Sequence, residues 1–233
     1  MKTQNILNSV RANVGAALTL WFVFALVMGA SGQYVSGTGK PPLLLGLTLI
    51  IPPMLFALAY LRHGAFWTFC QALDLRLLTL LHLWRIAGLD FLLNYLQGHL
   101  PAGFAFPAGI GDVVIALTAI PLVLVLSSKR ASAGTWFVAW NLFGLVDLIV
   151  AVGSGILHSQ SSFGILAGSG PTTLLMSEFP RSLIPTFFVP LFILLHLLAL
   201  SRSREVIAGR TSIGTLPTPA SPSQSQARSG NAA

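Results

Sequence analysis

Six long apolar stretches, joined by short polar connections, dominate the sequence. A helix needs ~20 mostly apolar residues to cross the hydrocarbon core of a bilayer. Only 8% of the residues are charged and 54% are apolar, whereas a soluble domain carries about 25% charged residues. The sequence therefore predicts an all-α integral membrane protein and excludes a soluble enzyme. We expect a bundle of six transmembrane helices, at about 14–30, 43–61, 77–96, 108–126, 136–157 and 183–200.

The composition changes at both ends of this apolar region. Residues 1–13 are mostly polar, which predicts a cytoplasmic N-terminal segment, and residues 14–204 hold the six-helix domain. Residues 205–233 are rich in Ser, Pro, Ala, Thr and Gln and show no apolar period. Such a composition cannot bury a core, so we expect a disordered cytoplasmic tail.

Lysine and arginine counts in the connections predict the orientation. Basic residues are enriched in cytoplasmic loops. With the N-terminus inside, the outer side holds only Lys40 and Arg181. Both termini are therefore expected in the cytoplasm, most simply beneath a prokaryotic inner (plasma) membrane. The inner side would collect nine basic residues: Lys2, Arg11, Arg62, Arg76, Lys129, Arg130, Arg202, Arg204 and Arg210.

The first apolar stretch has a second interpretation. Lys2 and Arg11 precede an apolar run that ends in Ala30, Ser31 and Gly32, and a secretory signal peptide has this order of charge, apolar run and small residues. The run is long for a signal peptide, which favours a retained first span. Whether this span is cleaved stays open at this point.

Two connecting segments and several prolines carry further expectations. Residues 64–74 are apolar but too short to cross, so we expect a partial helix along the interface. The link 99–112 is rich in Gly, Pro and aromatic residues and is expected to dip into the outer interface as a lid or half-buried loop. Proline removes an amide donor and frees the carbonyl four residues earlier. Kinks are therefore expected at Pro52, Pro53, Pro121, Pro185 and Pro190.

Charged side chains inside the spans define the candidate site. Arg85 and Asp90 lie in the third span, Asp112 in the fourth and Asp147 in the fifth, at similar calculated depths in or just below the outer half of the bilayer. A charge in the membrane interior costs at least ~2.5 kcal/mol on insertion scales, so such residues are usually paired or functional. The sequence predicts an outward-facing acidic pocket with Arg85 as counter-charge. Its candidate ion- or substrate-binding residues are Arg85, Asp90, Asp112, Asp147, Asn94 and Asn141.

A short repeated pattern supports the expectation that these carboxylates face the interior of the bundle. Residues 109–117 align without gaps to residues 144–152, and Gly, Asp and Ala recur at matching positions. At helical spacing each aspartate shares a face with small residues. Small residues let membrane helices approach closely, which directs the aspartates towards a neighbouring helix rather than towards lipid.

Two enzymatic alternatives come from other residues. His82 and His196 lie at matched depth on different helices, as the axial ligands of a haem b would. The other interpretation is that each histidine is hydrogen-bonded inside the bundle. The residues 109–112 (Gly-Ile-Gly-Asp) resemble the G-x-G-D motif of intramembrane aspartyl proteases and prepilin peptidases, which use a second aspartate on an earlier helix. Asp90 or Asp74 would be that partner. The Pro-Ala-Leu signature of presenilin-type proteases is missing, so the likeness covers four residues only.

These observations predict a multi-pass membrane protein that binds or transports a small molecule, a proton or a cation. The alternative is a structural or assembly partner in a membrane complex, and a haem-b or intramembrane enzyme is a weaker alternative. Catalytic residues are not identified, and no cofactor or metal site is expected apart from the haem alternative. The expected partners are the lipid bilayer and a second copy or another membrane protein. Nucleic acid is not expected, because the basic residues form no stripe.

Overall fold

The computed structural model describes residues 2–128 and 132–207, and within these ranges it is helical with no strands. Six segments in this part of the chain are long and apolar enough to cross a membrane, as the sequence predicts. The helices are α1 (Lys2–Ala30), α2 (Leu43–Arg62), α3 (Gly64–Gln71), α4 (Leu75–Leu80), α5 (Leu89–Leu96), α6 (Ala102–Ser127), α7 (Ala133–Leu157), α8 (Val189–Ser201) and α9 (Ser203–Ile207).

The ends of the spans differ from the sequence-based bounds. Helix α1 begins at Lys2, so residues of the predicted N-terminal segment 1–13 are continuous with the first span. Helix α9 continues to Ile207, past the predicted start of the tail at residue 205. The rest of that tail, residues 208–233, lies outside the described residues. The sides of the membrane on which the termini lie stay a prediction.

The third span is not one regular helix. A 3₁₀ segment, Leu81–Gly88, joins α4 to α5, and together they form the candidate span Leu75–Leu96. A 3₁₀ helix has 3.0 residues per turn, against 3.6 in an α-helix. Residues after the 3₁₀ segment therefore point in other directions around the helix axis than they would in a continuous α-helix. Mid-span 3₁₀ geometry of this kind is often found at functional sites, and this segment contains His82 and Arg85.

The prediction of a lid or half-buried loop is wrong for residues 102–112 of that link. They form the first turns of α6, which begins after Pro101, a residue with extended backbone at φ −71° and ψ 143°. Pro101 lies at the N-cap, where an N–H has no partner within the helix, so its missing donor costs no intrahelical bond. Burial of Phe104 and Ala105 against Phe91 and Leu100 stabilises these added turns.

In the sixth span the structure shows how a carbonyl freed by a proline is satisfied, while the kinks stay a prediction. Its first turn, Ile184–Phe188, is a π-helical segment with wider spacing, and it leads into α8. Pro190 has no N–H to offer the carbonyl of Thr186, four residues earlier. Trp21 of α1 instead donates its Nε1–H to that carbonyl oxygen at 3.0 Å. This bond, with the packing of Trp21 and Phe22 on Phe187, holds α1 against the sixth span.

Alternating spans give the bundle two ends. The connections 31–42, 97–101 and 158–183 lie at one end, which we call the long-connection end, and α3 and α9 lie at the other. Helix α3 is the partial helix expected within 64–74. An apolar core cluster at the long-connection end contains Phe91 and Met176, and a larger one towards the other end contains Phe137 and Phe192. Between them lies a layer of polar side chains.

Candidate functional site

Close backbone contact between the third span and α6 places Arg85 in the interior. A Cβ atom added at Gly88 would lie 2.5 Å from the Cβ of Asp112 and 3.1 Å from the carbonyl oxygen of Gly109. Any side chain at position 88 would therefore push the two segments apart. Helix α7 approaches α6 in the same way, because Gly111 packs directly on the carboxylate of Asp147.

The guanidinium of Arg85 binds both carboxylates. Its Nε donates to Oδ1 of Asp112 at 2.6 Å, and its Nη2 donates to Oδ2 of Asp147. Its Nη1 points to the carbonyl oxygen of Gly144 at 3.4 Å. The side chain of Arg85 is 0% exposed, and those of Asp112 and Asp147 are 14% and 7% exposed. We call Arg85, Asp112 and Asp147 the buried cluster. These three predicted site residues are brought together.

The buried cluster has more negative than positive charge if all its groups ionise. One guanidinium faces two carboxylates, which leaves a formal charge of −1. In a medium of low dielectric an uncompensated charge is strongly disfavoured. One proton or one bound cation would neutralise the buried cluster.

Two polar side chains extend this network from α8 to α7. The Nε2 of His196 lies 3.2 Å from Nη1 of Arg85, and its Nδ1 lies 3.0 Å from Oδ1 of Asn141. An arginine can only donate, so Nε2 accepts and Nδ1 carries the proton of a neutral imidazole. Asn141 in turn donates to the carbonyl oxygen of Phe137 at 2.8 Å. Asn141 therefore belongs to the site, although it acts through His196.

His82 completes the layer but does not fit haem ligation with His196. Their ring centroids are 4.1 Å apart and their planes are inclined by 28°, so the two imidazoles stack face to face. Axial ligands of a haem point their ring nitrogens at the iron from opposite sides of the macrocycle, which this stacking does not allow. Trp140 packs edge-on against His82, and in the described part of the chain Nδ1 of His82 has no hydrogen-bond partner.

Asp90 and Asn94 lie outside the buried cluster, which corrects the prediction of a three-aspartate pocket. Asp90 accepts two bonds from Arg181, at 2.7 Å from Nε and 3.1 Å from Nη2. These side chains are 38% and 29% exposed, and the hydrogen bonds that Arg181 donates to Asp90 raise the pKa of Arg181 above its usual range. Asn94 is buried and donates to the carbonyl oxygen of Asp90 at 2.7 Å. Its side chain satisfies the helix backbone and does not reach Arg85.

The arrangement of aspartates differs from that of an aspartyl protease. Arg85 lies between Asp112 and Asp147 and binds both, whereas such a protease needs two carboxyl groups that share a water. The partners considered from sequence lie elsewhere: Asp90 pairs with Arg181, and Asp74 caps α4 by accepting the N–H of Arg76 at 2.8 Å.

A cavity of about 350 Å³ adjoins the buried cluster at the long-connection end. It separates the first half of α2, with Leu45 and Leu49, from the second half of α7, with Leu148 and Val152. Most of the wall is apolar, and Asp112 is the charged residue that lines it. Oδ1 of Asp112 is bound to Arg85, and among the described residues no hydrogen-bond donor reaches Oδ2. The cavity thus meets the buried cluster at one carboxylate.

Sequence reasoning missed the roles of Arg181, His196 and the glycines at the contact points. Arg181 was counted only as an orientation signal, although a single arginine near the end of an outer loop is a natural partner for a carboxylate near the end of a span. His196 was interpreted as a haem ligand or as a histidine hydrogen-bonded inside the bundle, but its partners Arg85 and Asn141 were not predicted. Gly88 and Gly111 had a usable signal, since a glycine three residues after Arg85 and another directly before Asp112 permit close helix approach.

The chain was also compared with known proteins. A family model matches residues 41–204, which is more than half of the chain. The chain belongs to the family described as Domain of unknown function (DUF8737). The DUF8737 region runs from before α2 into α9 and contains the whole buried cluster and His196, whereas α1 precedes it. No curated protein and no solved structure matches the chain.

Proposed function

We propose that this DUF8737 protein is a membrane transport protein that binds a proton or a cation at the buried cluster. The observation that carries the proposal is the single guanidinium of Arg85 between two carboxylates. Two positive charges would be needed to neutralise that pair of aspartates, and Arg85 supplies one. A mobile positive charge at Asp112 supplies the other.

The location of the buried cluster supports transport rather than storage. Asp112 lines a cavity at the long-connection end, so a cation can reach one carboxylate from that end. On the opposite side of Arg85, His196 and His82 continue the polar layer between two apolar clusters. A transport path from this layer to the other end of the bundle would have to pass the larger apolar cluster that contains Phe137 and Phe192.

The positive-inside rule supports an outward-facing cavity, and we take the membrane to be a prokaryotic plasma membrane as the simplest setting. Lys40 and Arg181 are the basic residues at the long-connection end among those described, while Arg62, Arg76 and Arg202 lie at the other end. Basic residues concentrate on the cytoplasmic side. In this orientation the cavity opens outward and both termini are cytoplasmic.

Ion flux into liposomes tests the proposal. Purified protein is reconstituted with a pH-sensitive dye inside, and a membrane potential is imposed in buffers with and without sodium. We expect the dye to report proton flux with the wild type, and loss of that flux in Asp112→Asn, which keeps the bond to Arg85 but removes the charge. Asp74→Asn is the matched control, because Asn caps a helix as well as Asp does. No flux above that of empty liposomes, or equal flux in Asp112→Asn, would overturn the proposal.

A second candidate is a structural role in a membrane complex. It is favoured by the complete burial of Arg85, whose bonds join the third span to α6 and α7. A cluster that serves only to hold helices together would support the same fold without flux. The protein would then co-purify with a stoichiometric membrane partner, and Asp112→Asn would leave that complex intact.

A further inference from the structure

The cavity beside Asp112 has the features of a ligand site. Its volume of about 350 Å³ lies at the lower end of the range for small-molecule sites, ~300–1,000 Å³. Such sites have mostly apolar walls with a few polar groups that fix orientation. Here the walls are leucine, valine and phenylalanine side chains, and the deep polar group is one carboxylate.

The negative charge of that carboxylate favours a ligand with a positive charge. An anionic ligand would add to the formal charge of −1 of the buried cluster. A neutral ligand would leave Oδ2 of Asp112 without a donor in an apolar wall, which is unfavourable because a desolvated carboxylate needs compensation. An ammonium group would donate to Oδ2 and neutralise the buried cluster at the same time.

The apolar wall favours a ligand whose uncharged part is a hydrocarbon. A hydrated metal cation would gain nothing from Leu45, Leu148 and Phe104, and it would need several oxygen ligands. Within the described residues no group of three or more His, Cys, Asp and Glu side chains could hold a metal ion. A compact hydrocarbon body fills the space between α2 and α7 and gains from the removal of apolar surface from water.

From these features we propose that the cavity between α2 and α7 binds a compact apolar molecule carrying one protonated amine, with its ammonium group at Oδ2 of Asp112. The proposal rests on the function proposed above and names the substrate class for the same site. The polar rim at Ser36, Ser159 and Gln160 marks the entrance, where the molecule leaves water. The substrate class is thus a lipophilic organic cation.

Three probes of the same shape and different charge test this assignment. They are 1-adamantylamine, 1-adamantanol and 1-adamantanecarboxylate, each titrated calorimetrically into the purified protein in detergent. We expect the amine to bind the wild type at least tenfold more tightly than the alcohol, and the carboxylate to bind most weakly. Asp112→Asn should bind amine and alcohol equally. Asp112→Glu, which keeps the charge, should retain the preference for the amine.

Two further variants separate a specific site from general hydrophobic binding. Ala151→Leu places a larger side chain in the cavity wall and should weaken all three probes by tenfold or more. Asp74→Asn should bind them as the wild type does. Thermal unfolding of each variant confirms that it is folded before titration.

The outcomes distinguish this inference from the proposed function. Equal affinity for the three probes, or an amine affinity that Asp112→Asn leaves unchanged, would overturn the inference. Intact ion flux together with that result would leave the proposed function in place. A charge-dependent amine site in a protein without flux would support the inference and overturn transport.

Discussion

A buried and an outer arginine–aspartate pair, both among the described residues, have almost the same geometry in opposite surroundings. Arg85 Nε to Asp112 Oδ1 is 2.6 Å, and Arg181 Nε to Asp90 Oδ2 is 2.7 Å. The Arg85 side chain is 0% exposed, whereas that of Arg181 is 29% exposed. The distance between the two charged groups therefore does not by itself indicate how much an ion pair contributes to stability.

The difference is one of desolvation. A group in the buried cluster that loses its partner has no water to replace it, so the cost is that of an unpaired charge in an apolar interior. When the outer pair is broken, water solvates both partners and little is lost. In the buried cluster one arginine is bonded to two carboxylates, whereas Arg181 is bonded to Asp90 and feels Glu178 only as a nearby charge at an exposed site.

The largest effect is expected from removal of the buried guanidinium. Arg85→Met keeps much of the apolar stem but leaves Asp112 and Asp147 facing each other without a cation. We expect a loss of ~3–5 kcal/mol in the free energy of unfolding, the usual cost of breaking a buried pair. Chemical denaturation in detergent measures it. A loss no greater than that of Arg181→Met would show that the two environments do not differ.

A smaller effect is expected from the glycine that lets α6 approach Asp147. A Cβ at position 111 would overlap the carboxylate of Asp147, so Gly111→Ala must displace that side chain. Overpacking of this kind costs ~1–3 kcal/mol. Gly153→Ala is the matched control, since nothing lies within 4 Å of its added Cβ. A helix-interior glycine replaced by alanine there should be neutral or gain ~0.5–1 kcal/mol. Equal effects of the two substitutions would contradict the close approach.

The smallest effect is expected at the outer pair. Asp90→Asn should cost ~0.2–1 kcal/mol, as for other exposed pairs, and less at high salt. Because Asp90 raises the pKa of Arg181, the stability that this arginine gains is present at neutral pH. It is lost only as the pH rises through that raised pKa, above the ordinary value for arginine. Unfolding at two salt concentrations checks the prediction, and a large effect that salt does not change would contradict it.

The sequence was sufficient to predict the six spans, because each is an apolar run of the required length. It also placed Arg85, Asp112 and Asp147 at similar depth, and those residues do meet. Depth does not fix rotation about the helix axis, and the 3₁₀ segment Leu81–Gly88 changes that rotation between Arg85 and Asp90. This is one reason why Asp90 was assigned to the wrong cluster.

Other features depend on contacts between distant segments, which spacing along the chain does not contain. The bond between Asn141 and His196 arises because α7 packs on α8. The helical start of α6 depends on the burial of Phe104 beneath Phe91, against a local sequence rich in Gly and Pro. The cavity is a gap left by packing, and a hydropathy pattern gives no indication of it.

One arginine charge faces two aspartates in the buried cluster, so that either aspartate alone suffices for the fold. Thermal and chemical unfolding of Asp112→Asn, Asp147→Asn and the double variant tests it directly. Each single variant leaves a neutral pair and should lie within ~1 kcal/mol of the wild type, while the double variant leaves a buried cation and should lose ~3–5 kcal/mol. Strictly additive losses in this cycle would contradict the account, because they would mean that the two carboxylates do not share Arg85.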